Sequence, residues 1–325
     1  MRMRKNFAAR LSVLAIGLCS AMFAQPGMAL VGSTAVDANT SSSPYSGVVS
    51  LSIGGGTFSG VLLANGYVLT AAHVISGSPP GGVLVNFNDG SGQSIAAQSI
   101  TVFPGYAGTT PGSDGLWHDD LALIKLSAAA PSSAAAYSLY TGTPTRNTAL
   151  TLVGYGGTGN GMSGATAGGS ASVKNVGSNR VDVLIADDDS SGAGYTGKSE
   201  IMLFDFDNPA STDKNVFTPA TGVASSEAQF GAGDSGSPLF TTVHGEIQLI
   251  GIASFNGMIN QTVGGVTSPF STSTTTFGSI GGATSVAAYS SWINSVTAVP
   301  EPQTYVMLLA GLGLLVSGNY RKRRG

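Results

Sequence analysis

Three residues far apart in the chain, His73, Asp120 and Ser235, have the types required for nucleophilic attack on an acyl carbon. A serine hydroxyl is a weak nucleophile at neutral pH. An imidazole must take its proton, and a carboxylate must hold that imidazole in the right tautomer. Each of the three sits in a distinctive segment. Thr70-Ala71-Ala72-His73 ends an apolar run, Asp119-Asp120 opens the apolar run Leu121 to Leu126, and Ser235 lies within Gly233-Asp234-Ser235-Gly236-Ser237-Pro238. The order His, Asp, Ser is one of the few in which unrelated folds assemble this chemistry. His73 directly ends the apolar run that closes with Thr70-Ala71-Ala72. His118 and His244 read as surface-loop residues, and Asp119 as a solvated neighbour of a buried Asp120.

The elements that must position these groups are short. The chain carries 47 glycines and many Ser, Thr and Ala residues, with apolar runs such as Gly60 to Leu63 and Gly66 to Thr70. That pattern predicts many short strands joined by turns. Only Thr284 to Val296 shows helical periodicity. Between Leu30 and Pro300 there are six Lys and Arg residues against 16 acids, so this part carries a net charge near −10. It therefore lacks the basic patches that nucleic acids or anionic membranes require of a partner. The triplet Asp187-Asp188-Asp189, followed by Asp205 and Asp207, has no calcium-hand spacing and reads as a solvated charged loop. No metal ligand and no cofactor is assigned.

These segments together resemble the trypsin- and chymotrypsin-like serine proteases over about residues 30–298. Thr70 to His73, Asp120 to Leu123 and Gly233 to Pro238 look like the family's histidine, aspartate and nucleophile segments, with Ser237 where a second glycine is usual. Gly154-Tyr155-Gly156 resembles the turn between the family's two halves. Gly251 to Asn256 resembles its substrate-binding strand, with Phe255 in place of the usual Trp, and Val286 to Val296 its closing helix. The resemblance implies an all-β fold of two six-stranded antiparallel barrels, about 30–140 and 141–298, with the active site in the cleft between them and a short C-terminal helix. It implies an endopeptidase with His73, Asp120 and Ser235 as triad, and the N–H groups of Gly233 and Ser235 as oxyanion hole. Gln229, Ser254, Phe255 and Asn256 become substrate-binding positions. A neutral Gln229 at the pocket floor, and Asn256 where glycine is common, imply preference for small or medium neutral side chains. Ser59 and Val74 stand where the family places a disulfide. The other reading is a catalytically weak or inactive protease-like surface binding module.

The two ends read as addresses. Met1 to Ala29 has a basic start, an apolar stretch from Leu11 to Ala24 and small residues before Ala29, the pattern of a signal peptide cleaved by signal peptidase. Cleavage there frees Leu30-Val31-Gly32, which resembles the terminus of activated family members and implies an ion pair between the Leu30 amine and Asp234. Val299-Pro300-Glu301-Pro302, an uncharged stretch from Gln303 to Tyr320 and Arg321 to Arg324 resemble a PEP-CTERM sorting signal within residues 299–325. The uncharged stretch predicts a separate transmembrane-type helix, because about 20 apolar residues cross a bilayer. The resemblance implies processing by an exosortase-type enzyme, transient or permanent membrane anchoring, and delivery to the periplasm, cell surface or extracellular matrix of a Gram-negative bacterium. The protease is expected to act on protein or peptide substrates as a monomer.

Overall fold

The computed structural model describes residues 30–298, apart from 109, 113, 212–214, 218–221, 223–226 and 259–274. The signal peptide expected over 1–29 and the segment 299–325 lie outside the described residues. No helix among the described residues is long and apolar enough to cross a membrane. The transmembrane-type helix was expected on residues 303–320, so that expectation too falls outside them.

The protein is mostly β. Six strands close a barrel in the order β3 (Val48–Ile53), β4 (Gly56–Leu63), β5 (Tyr67–Thr70), β8 (Ala122–Leu126), β7 (Ser94–Val102) and β6 (Val83–Phe87). Their inward residues are β-branched or large and apolar: Val49, Leu51, Val61, Leu69, Val85 and Ile124 are all fully buried. Alternation with polar residues puts one face of each strand into this core. The turn from β5 into the short helix α1 (Ala72–Ile75) carries His73 out of the barrel at the end of a fully hydrogen-bonded strand.

The second half is not the six-stranded barrel that the resemblance implied. It is a nine-stranded sheet, ordered β14 (Val183–Ala186), β15 (Ser199–Asp205), β18 (Ile280–Ser285), β17 (Glu246–Gly257), β16 (Pro238–Val243), β10 (Ala149–Gly154), β13 (Asn175–Arg180) and β2 (Ala35–Val36), with β9 (Ser138–Leu139) pairing β17. A separate three-stranded sheet joins β1 (Leu30–Val31), β11 (Thr158–Asn160) and β12 (Gly164–Ala167). The long Gly/Ser-rich stretch after Gly156 thus makes its own hairpin, which takes β1 as partner. The halves also exchange segments, so their boundary does not fall cleanly at 140. Residues 30–36 pair with the second half, while helix α2 (Val286–Thr297) buries Val286, Tyr289 and Ile293 against the first barrel.

The turn Gly154-Tyr155-Gly156 shows why both glycines are needed. A Cβ at Gly154 would lie 2.1 Å from Asp234 Oδ1, and one at Gly156 2.4 Å from Asp234 Cγ. Between them Tyr155 is fully buried and donates to Val48 O at 3.0 Å, pinning the turn to the first barrel. A Gly156→Ala variant is expected to lose about 2–4 kcal/mol of stability, because a buried carboxylate and backbone would have to shift. Gly168→Ala, where a Cβ meets nothing within 4 Å, is the comparator and should stay within about 0.5 kcal/mol. Urea midpoints of the two variants check this; equal losses would contradict the packing.

Candidate active site

Ser235, His73 and Asp120 come from three elements and meet between the halves. Asp120 precedes β8 and is buried; its Oδ1 accepts from the His73 backbone N–H at 2.8 Å, and its Oδ2 lies 2.7 Å from His73 Nδ1. The far ring nitrogen, His73 Nε2, is 2.8 Å from Ser235 Oγ. With an ionised carboxylate on Nδ1, that nitrogen carries the proton and Nε2 is left as acceptor for the serine hydroxyl. Ser254 Oγ also donates to Asp120 Oδ2. A register shift between Ala253 and Phe255 where β17 pairs β18 turns Ser254 out of the ladder toward it.

The nucleophile loop is held by its backbone. Gly233 and Gly236 have φ of 98° and 81°, a region that only glycine enters without strain. A Cβ at Gly236 would lie 2.3 Å from Ser59 O, so the loop lies directly on the first barrel. Ser59 N–H donates to Ser235 O at 3.0 Å, and Ser59 Oγ to Gly233 O at 3.1 Å. The polar side chain at the family's cysteine position therefore still ties the barrel to this loop. Among the described hydrogen bonds, neither the Gly233 nor the Ser235 N–H is a donor.

Asp234 is fully buried. Its carboxylate accepts from Gly156 N and Gly231 N, both at 2.8 Å, from Ser237 Oγ at 3.4 Å and from the backbone N–H of Leu30. Burial pushes its pKa up to about 7 against the lowering effect of these donors. Leu30 and Val31 are themselves fully buried, and Val31 exchanges two backbone hydrogen bonds with Gln229, at 3.0 and 2.9 Å. The expected partners Leu30 and Asp234 are thus adjacent.

Of the expected substrate-binding residues, Ser254, Phe255 and Asn256 line a cleft of about 330 Å³ with His73, Tyr106, Trp117 and Asp120. Tyr106 and Trp117 were not anticipated. Their signal was the presence of two large aromatics in an otherwise small-residue loop before Asp120. Gln229 is not brought to this cleft. It is fully buried, its Oε1 accepting from Phe230 N at 2.8 Å and its Nε2 donating to Ser279 O at 3.3 Å. Asn256 Nδ2 reaches across to Phe230 O, which narrows the space beneath the cleft.

The surroundings of the triad carboxylate correct two expectations. His118 is buried, not a surface-loop residue: its Nδ1 lies 3.0 Å from Glu200 and 3.2 Å from Asp188, and its Nε2 3.1 Å from Asp114. Burial alone would lower its pKa, but the hydrogen bonds to Glu200 and Asp114 and the charge of Asp188 raise it to about 9. Asp119 is buried rather than solvated, at φ 60°, and accepts from Tyr289 Oη at 2.9 Å. Burial, with Glu200, Asp189 and Asp188 nearby, raises its pKa to about 7.

The fold and this constellation define a serine-hydrolase-type arrangement. A match to the Trypsin family covers residues 33–293, so the chain belongs to the trypsin family. A PEP-CTERM protein-sorting motif matches residues 298–324 and indicates export with surface or membrane association in Gram-negative bacteria, with exosortase processing. No curated protein matches the sequence.

The raised pKa of Asp119 has a signed consequence. A carboxyl whose folded pKa is about 7 contributes stability that is fully present below the unfolded value, near 4, and lost as pH rises through 7. Asp119→Asn keeps an acceptor for Tyr289 without the charge. In a Ser235→Ala background, the variant should lose less stability than its parent between pH 5 and 8, read from denaturant midpoints. A parallel or steeper loss would show that Asp119 is ionised at no cost.

Proposed function

We propose that the chain is an exported serine endopeptidase that hydrolyses peptide bonds through an acyl-enzyme on Ser235. The observation that carries this reading is the continuous hydrogen-bonded line Asp120–His73–Ser235, with contacts of 2.7 and 2.8 Å. Ser235 Oγ attacks the scissile carbonyl while His73 Nε2 takes its proton and then delivers it to the leaving amine. Water, deprotonated by the same nitrogen, releases the acyl group. Asp120 stays ionised, fixes the tautomer and stabilises the imidazolium. The N–H groups of Gly233 and Ser235 would meet the developing oxyanion, where one such donor typically contributes about 3–4 kcal/mol to barrier lowering.

The preferred substrate is a peptide with small or medium neutral side chains at the cleaved position. Among the described residues that line the cleft, the one acid is Asp120, which is already engaged by His73 and Ser254. A buried Lys or Arg side chain would go unpaired there, at high cost. The apolar faces of Tyr106, Trp117 and Phe255 supply contact area for residues on the acyl side of the cut.

Labelling of Ser235 by a fluorophosphonate, alongside peptidase assays, tests the reading. His73→Ala and Ser235→Ala should each remove nearly all activity, and the double variant should be little worse, because the groups act as a unit. Asp120→Asn should fall by about 10⁴-fold in kcat through the wrong tautomer. Folded protein that never labels, or multiplicative losses in the double variant, would favour the binding-module reading.

Maturation fits the same site. Cleavage after Ala29 would turn the Leu30 N–H that donates to Asp234 into an ammonium and hold Asp234 ionised despite its complete burial. Protein retaining Met1 to Ala29 should be folded but nearly inactive, and the secreted form should begin Leu-Val-Gly-Ser. Full activity with the leader attached would remove this pair from the mechanism.

A further inference from the structure

Away from the active cleft, Asp205, Asp207 and Glu227 form a second group of acids. All three are buried, with exposures of 1%, 8% and 5%. One carboxylate oxygen from each lies within 4.8 Å of the others. This corrects the expectation that Asp205 and Asp207 belong to a solvated loop. Some of their acceptor capacity goes to backbone: Asp205 Oδ2 takes the N–H groups of Val216 and Phe217, at 2.6 and 3.0 Å, and Glu227 Oε2 takes that of Asp207, at 2.6 Å. Asp207 Oδ1, in contrast, is buried without a hydrogen-bond partner. The Asp207 and Asp205 carboxylates come within hydrogen-bonding range of each other, so two acceptors face one another. Among the described residues no Lys, Arg or His forms an ion pair with Asp205 or Asp207.

Facing, buried carboxylates need a proton or a cation between them. We propose that Asp205, Asp207 and Glu227 bind a divalent cation of the calcium type. The donor set is all oxygen and anionic, which suits a hard ion and gives no nitrogen or sulfur to select zinc. Gly222 supports the reading: a Cβ there would lie 2.7 Å from Asp207 Oδ2 and 3.0 Å from Glu227 Oε1, so only a glycine lets the chain pass this close to the group. The acids flank residues 208–226 in the sequence, so an ion held by them joins two separate segments of the chain. Glu227 is also two residues from Gln229, whose backbone pairs with Val31, and a Cβ at Gly32 would lie 2.4 Å from Glu227 O. The ion therefore braces the wall on which the N-terminal strand rests. No hand-like sequence spacing announces the site because its ligands come from two segments 20 residues apart.

The test uses the exported chain carrying Ser235→Ala to prevent self-cleavage, stripped with EDTA and titrated with calcium chloride by calorimetry. One site of submillimolar Kd is expected, with a thermal midpoint that rises with calcium concentration by mass action. Asp207→Asn and Glu227→Gln should each weaken binding by about tenfold or more by removing a ligand charge. Asp188→Asn, in the His118 group, should leave it unchanged. Either of the first two variants suffices should the other fail to fold by circular dichroism. No heat and no midpoint shift in the Ser235→Ala parent would overturn the proposal, as would binding lost with Asp188→Asn but kept with Asp207→Asn.

Discussion

A carboxylate with no access to water organises this protein. Asp234 is fully buried one residue before Ser235, and a charge in that position is tolerated only when donors surround it. The donors come from every part of the second half that matters: Gly156 from the turn between halves, Gly231 and Ser237 from the nucleophile loop, and Leu30 from the N-terminal strand. The backbone donors must come close, and Gly154 and Gly156 leave no room for a Cβ against the Asp234 carboxylate. Satisfying one side chain thereby sets the path of the loop, and the loop aims Ser235 at His73.

The acids of the domain are distributed in a similar economy of position. Its excess negative charge is not spread evenly over a solvated surface. Asp119, Glu200 and Asp234 are deeply buried, as are Asp205, Asp207 and Glu227, and each is surrounded by backbone donors, a histidine or another acid. The group around His118 lies directly beside Asp120 in sequence, yet its partners are different. Asp120 is satisfied by His73 and Ser254, whereas Asp119 turns to Tyr289 through a left-handed backbone. Two adjacent aspartates thus serve separate electrostatic neighbourhoods without competing for one imidazole.

His73, Asp120 and Ser235 could be singled out in the sequence because each is embedded in a contiguous segment, and the structure brings the three side chains together. His73 follows a strand, Asp120 starts one, and Ser235 sits between glycines at positive φ. What was not legible depends on partners distant in the chain. His118 looked exposed because Glu200, which buries it, is 82 residues away, and Asp119 looked solvated because Tyr289 is 170 residues away. Gln229 was placed on a pocket floor by counting from Ser235, but an amide with backbone partners at hand folds onto them instead. The short strands of the first half followed from its apolar runs, and their closure into a barrel from the family resemblance. The second half departed from it because glycine-rich strands carry little side-chain pattern to fix how many join one sheet.

Ser59 and Val74, both in the first half, leave the histidine segment without the disulfide that the family places there, and the sequence holds a single cysteine, Cys19. Cohesion between barrel and nucleophile loop rests on hydrogen bonds from Ser59 and on glycine-to-backbone contact. Residues 30–325 therefore have no thiol to oxidise, mispair or reduce. Their folding is indifferent to the redox state of the compartment they enter, and disulfide-forming machinery has nothing to contribute to it.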